Sequence, residues 1–153
     1  MIKNGHHKTD KDETVFKSLR RVLNVKTTYP DGSVFHDQFC KRYVCELVIP
    51  KGTRYYGTTK GQKTPNDYAG FRQTYSHGKC RAERARVVKF TEVFRYNDDR
   101  KPTNIKTAYS SHDRKFKYKI GETVKPDHFG EARKQCAGGI HFFRTFKEAQ
   151  DWS

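Results

Sequence analysis

The sequence predicts an α+β fold: mainly antiparallel sheet with two or three short helices, closed at the C-terminus by a strand and a helix. Three observations predict it. Short segments rich in Val, Ile, Phe and Tyr alternate polar with apolar residues, most cleanly Lys115–Ile120 (K-F-K-Y-K-I). Turn-forming residues separate these segments, above all Pro30-Asp31-Gly32, where Pro presets φ and Gly accepts positive φ. Near the C-terminus, Thr145 and Glu148 have the T-x-x-E spacing of a capping box, in which each side chain satisfies an orphan amide of the first helical turn.

Residues 1–13 are polar and charged, which predicts a flexible N-terminus. Residues 14–153 then form a single basic domain. Residues 14–29 support two readings. Phe16, Leu19 and Leu23 fit a helical stripe, whereas Val22 to Tyr29 is rich in β-branched residues. The expectation is a helical turn or two, then a hairpin of residues 22–29 and 33–39. Tyr43 to Ile49 reads as a strand stopped by Pro50. Residues 51–78 form a long loop with five glycines and four tyrosines. Loops of that length are functional or disordered, and the rings argue against disorder. Arg86 to Tyr96 alternates as a strand. Short strands follow around 105–109, 115–120 and 123–125. Pro126-Asp127 suits the start of a short helix running to Gln135. Gly138 and Gly139 then turn the chain into Ile140–Phe143, and a capped helix carries Phe146, Ala149 and Trp152.

Charge narrows the function. Lys and Arg number 32 against 17 Asp and Glu, a formal charge of +15. Such a chain associates with polyanions, here nucleic acid or an acidic protein surface. The apolar fraction is only 33%, and 11 Phe, 9 Tyr and 1 Trp supply the large side chains from which a core is built. The N-terminus lacks the apolar stretch of a secretory signal, and no run reaches membrane-spanning length. This predicts a protein of the cell interior, not secreted and not membrane-inserted, with its four cysteines reduced.

Three constellations bear on chemistry. Cys40, Cys45, His77 and Cys80 have ligand types but not the tight paired spacing of structural zinc, and five residues of strand turn Cys40 and Cys45 to opposite faces. No metal or other cofactor is expected. The histidines have no fixed-spacing partner, and His141, near Cys136, reads as structural, so no catalytic residue is assigned. The third constellation is the basic segment Arg72, Lys79, Arg81, Arg84, Arg86 and Lys89, with Glu83 as its one acid. It reads either as a polyanion-binding surface or as a solvated strand edge. Tyr55, Tyr56, Tyr68, Phe71 and Tyr75 are the stacking candidates of the adjoining loop.

The combination of K-C-R-A-E-R-A-R-V-V-K-F (79–90), Y-S-S-H-D…F-K-Y-K-I-G-E-T-V-K-P-D-H-F (109–129) and C-A-G-G-I-H-F-F-R-T-F-K-E-A (136–149) resembles an uncharacterised domain of large eukaryotic DNA viruses. That domain is often attached to pentapeptide repeats. The resemblance covers roughly residues 44–149 and implies a viral source. It implies a packaged protein too: a virion structural or minor capsid-associated component in contact with other virion proteins. The chain departs from the pattern in having no repeat array and a long insertion around 51–76. Separately, G-I-H-F-F followed by a helix is similar to a pocket-lining segment of ADP-ribosyltransferases, which implies an enzyme as the alternative. An upstream His-Gly motif and a catalytic Glu strand are missing from that match.

Overall fold

The computed structural model describes residues 7–57, 80–94, 97–110, 116–126, 129 and 139–152. In chain order these hold β1 (His7–Lys8), β2 (Glu13–Thr28), β3 (Val34–Ile49), β4 (Arg54–Tyr56), β5 (Cys80–Ala82) and β6 (Ala85–Val93). They continue with β7 (Arg100–Pro102), β8 (Thr107–Ser110), β9 (Lys117–Lys119), β10 (Thr123–Val124), β11 (Ile140–Phe142) and α1 (Phe146–Trp152). Every pairing is antiparallel. Four strands form one sheet in the order β1-β4-β5-β11. The larger sheet runs β10-β6-β3-β2-β8-β9, with β7 also on β6.

This corrects the expected α+β class. Among the described residues the architecture is antiparallel β with one short helix, not a sheet with two or three helices. The clearest departure lies at residues 14–21, where the helical stripe suggested a turn or two of helix. They belong instead to a sixteen-residue strand paired residue for residue with β3, from Glu13↔Ile49 to Thr28↔Val34. Val15, Lys17 and Leu19 are the inward set, and Lys17 hides the alternation because its charged residue type occupies a core position. Its apolar stem is buried while its ammonium donates to the His141 carbonyl at 2.9 Å. The helix expected from Pro126 to Gln135 falls almost wholly outside the described residues.

Other expected elements are present. The hairpin turns where Pro30-Asp31-Gly32 places it: the Gly32 amide donates to the Tyr29 carbonyl at 2.9 Å, and Gly32 has a φ of 87°. That left-handed residue belongs to the turn-plus-bulge loop of hairpins, where glycine is unstrained. Asp31 accepts from both the amide and the hydroxyl of Ser33, and these bonds hold its carboxyl below the usual value. At the C-terminus the Thr145 hydroxyl accepts from the Glu148 amide and donates to the Glu148 carboxylate. His7 and Lys8, in the polar N-terminal segment, pair with Tyr55 and Arg54 of β4.

The main core lies between one face of the large sheet and the small sheet. Val15, Leu19, Cys45, Leu47, Val87, Phe90 and Tyr118 come from the first; Tyr55, Ala82, Ile140 and Phe142 come from the second. A register shift between Glu46 and Leu47 leaves Val88 as an extra residue in β6. The bulge brings Val87 and Phe90, of opposite parity, onto the same face. On the other face of the large sheet, α1 seals a smaller cluster of Val44, Val93, Phe143 and Ala149, with Phe16 and Phe146 against it. Phe16 and Phe143 exchange backbone hydrogen bonds of 2.9 and 2.7 Å, which tie the two sheets together.

The β2–β3 hairpin is longer than either core. Among the described residues, β2 beyond Arg20 and β3 before Arg42 pair only with each other. Residues 21–41 therefore project as a two-stranded arm, about 26 Å long at a strand rise of about 3.3 Å per residue.

Candidate functional site

Directly paired residues in an antiparallel ladder share one face, so the registers place side chains across the sheet. On the face that carries α1, one transverse row reads Arg100, Val93, Arg42, Arg20, Tyr109, Lys117, across β7, β6, β3, β2, β8 and β9. At roughly 4.8 Å between strands the row spans about 24 Å. It holds four cations, one half-exposed tyrosine and no carboxylate. Arg20 and Arg42 face each other directly, an arrangement of like charges that costs stability. The Arg100 guanidinium lies 3.8 Å from the Phe146 ring centroid, which ties the end of the row to α1.

The residues singled out from the sequence are dispersed. Arg86 and Lys89 are exposed on this same face, opposite Thr123 and Glu46. Arg84 is half-buried and donates from Nε to the Thr53 hydroxyl at 3.0 Å. Arg81 is fully buried; its guanidinium stacks 4.2 Å from the Tyr56 ring and 5.7 Å from the Phe129 ring. Tyr55 and Tyr56 are also buried, Tyr55 between His7, Phe142 and the Arg144 guanidinium. Burial pushes the Tyr55 hydroxyl above its usual pKa. Arg72, Lys79, Tyr68, Phe71 and Tyr75 lie outside the described residues, with most of the 51–78 loop. Sequence reading thus made site residues of none of Arg20, Arg42, Arg100, Tyr109 and Lys117. They are separated by up to 97 positions and are gathered only by strand pairing.

A second group of charges sits between the sheets. Arg144 donates to the Glu13 carboxylate, with little of either side chain exposed. Two buried opposite charges in hydrogen-bond contact satisfy each other and leave neither available for proton transfer. The Gly139–Phe143 segment lies beside them. Gly139 has a φ of 144°, and a Cβ there would come within 3.0 Å of the Arg81 Cβ. Ile140 and Phe142 point into the main core. Cys45, opposite Lys17 in the ladder, is fully buried, and burial drives its thiol well above the normal range. Cys40, five residues earlier, is exposed. Among the described residues no group of three His, Cys, Asp or Glu side chains is placed to hold a metal ion, and no helix is long and apolar enough to cross a membrane.

Residues 14–149 match the family of unknown function DUF5758, and the chain belongs to that family. It is 29% identical over 142 residues to the uncharacterised protein L223 of Acanthamoeba polyphaga mimivirus, an alignment that spans 91% of this chain and 82% of the relative. This is the kind of domain the sequence motifs resembled, and the similarity points to a viral origin. No solved structure matches.

Proposed function

We propose that this member of the DUF5758 family is a non-enzymatic interaction protein of a large DNA virus, and that the α1 face of its large sheet binds nucleic acid. The carrying observation is the transverse row Arg100, Arg42, Arg20 and Lys117 with Tyr109 among the cations. Guanidinium forks match phosphate geometry, and a half-exposed tyrosine beside them offers a stacking surface. An anion laid along the row removes the repulsion between Arg20 and Arg42. Arg86 extends the positive potential on the same face, where Lys89 stands opposite Glu46, and the net charge of +15 favours the encounter. The site of action is the virion or the interior of the host cell, where the protein contacts packaged nucleic acid. The ADP-ribosyltransferase-like alternative gains no support, because Ile140 and Phe142 fill the core and Glu13 is neutralised by Arg144.

Fluorescence anisotropy with single- and double-stranded oligonucleotides over a salt series tests this. Each phosphate contact releases counterions, so affinity should fall steeply with salt. Arg20→Gln and Lys117→Gln should each weaken binding and reduce the log–log salt slope by about 1. Binding that is flat with salt, or unchanged in both variants, sinks the proposal. Affinity for an acidic polypeptide but for neither oligonucleotide would redirect it to an acidic protein partner.

A further inference from the structure

We propose that the hairpin arm is a self-association device: the outer edge of β2, residues 21–28, pairs antiparallel with the same edge of a second copy. The tip of each arm then seats in a notch at the base of the other.

Four observations carry this. The first is apolar exposure. Of nine large hydrophobic side chains exposed among the described residues, six lie on the arm: Val22, Val25, Tyr29, Val34, Phe35 and Phe39. Clustered exposure of that kind marks an interaction surface. The second is the edge. From Arg21 to Thr28, β2 has no neighbour on its outer side among the described residues, and Lys26 is its only charge beyond the base. Natural sheets guard such edges with charge, proline or bulges, or else use them for pairing.

The third observation is the charge pattern. Residues 22–40 carry one lysine against two aspartates, a net −1 on a chain of +15. Beyond Arg21 and Lys41 at its base, the arm therefore lacks the positive excess of the chain as a whole, and its outer part is not repelled by another copy. Within it the charges are polarised. Asp31 sits at the tip, while Arg20, Arg21, Lys41 and Arg42 ring the base. Antiparallel pairing of two arms brings tip acid to base cations, and parallel pairing brings like charges together, so the chain is complementary to itself in one orientation. The fourth is the receptor. A notch of about 710 Å³ opens at the base of β2, lined among others by Arg20, Arg21, Leu23, Phe39 and Tyr109. It lies where β8 leaves β2, in line with the edge along which the partner arm runs. Its cationic and apolar lining suits Tyr29-Pro30-Asp31.

The paired edge excludes Lys117 and Arg100, but the notch shares Arg20 and Tyr109 with the cationic row, so a seated tip and bound nucleic acid compete there, and self-association is measured without nucleic acid. Sedimentation velocity on the full chain without nucleic acid should show a concentration-dependent dimer. Val25→Asp should weaken dimerisation at least about tenfold, and Asp31→Arg should weaken it in a way that adding Arg21→Asp reverses. A wild-type chain that stays monomeric up to on the order of 100 µM overturns the proposal, as does a dimer indifferent to Val25→Asp. Orientation is read separately by oxidative cross-linking after Cys40 and Cys136 are replaced by serine. Val22→Cys chains mixed with Thr28→Cys chains should form the mixed disulfide in preference to either homodimer. A preference for like pairs overturns the tip-to-base arrangement.

Discussion

β2 and β3 are one uninterrupted ladder of sixteen pairs, yet its two halves have opposite fates. In the half from Glu13 to Arg20, Val15, Leu19 and their partners Leu47 and Tyr43 are sealed between two sheets. In the half from Arg21 to Thr28, Phe39 and Phe35 stand more than half exposed, although they continue the same face of the same strands. The local chemistry of the two halves is alike: β-branched and aromatic residues in regular register. What differs is whether a second layer exists. An isolated two-stranded ribbon is marginal in water, so the arm stands because the buried half anchors its register, and its stability is borrowed from the body.

Predictions follow from that contrast, beginning with the largest effect. Glu13→Ala leaves Arg144 charged and uncompensated between the sheets and should cost about 3–5 kcal/mol in chemical denaturation. A loss below about 1 kcal/mol would mean that solvent reaches the pair. Leu47→Ala in the buried half should cost about 2–5 kcal/mol, whereas Val25→Ala on the arm should stay within about 0.5 kcal/mol in the monomer. Comparable losses from the two would show that the arm is packed in solution.

The smallest effect concerns Glu83, which accepts two hydrogen bonds from the Arg54 guanidinium and one from its amide. The Arg54 contacts hold the Glu83 carboxyl below its ordinary 4.5. A group whose folded-state pKa is lowered stabilises above its unfolded value and loses that contribution as pH falls through the folded one. Glu83→Gln should therefore lower the melting temperature slightly at pH 7, with the gap to wild type closing below about pH 4.5. A gap that widens on acidification would contradict the assignment. Because both side chains are substantially exposed, the shift should be small.

Much of the fold was legible locally. Pro30-Asp31-Gly32 announces its hairpin through backbone constraints that need no partner. Lys117–Lys119 alternates cleanly because Tyr118 alone faces the core while both lysines are solvated. Thr145 and Glu148 cap α1 through atoms three residues apart. The illegible parts share one physical cause. Lys17 and Arg81 are buried cations whose partners, the His141 carbonyl and the Tyr56 ring, lie far away in sequence. Residue type alone assigns such side chains to the surface, which is why 14–21 resembled a helix and Arg81 resembled a surface cation. The bulge at Val88 likewise blurs alternation in β6, since parity reverses in mid-strand.

By itself, the sequence determined the turns, the strand character of most segments, the helix cap, the excess of positive charge and the family. Those properties depend on neighbours a few positions apart or on composition. Only the tertiary structure decided which half of the long hairpin is covered and which cations share a row, because both are set by strand register. Register brings Arg20, Arg42, Arg100 and Lys117 to within a few strand spacings of one another, and it stops covering the hairpin at Arg20 and Arg42, where β8 leaves β2, β6 ends and the arm begins.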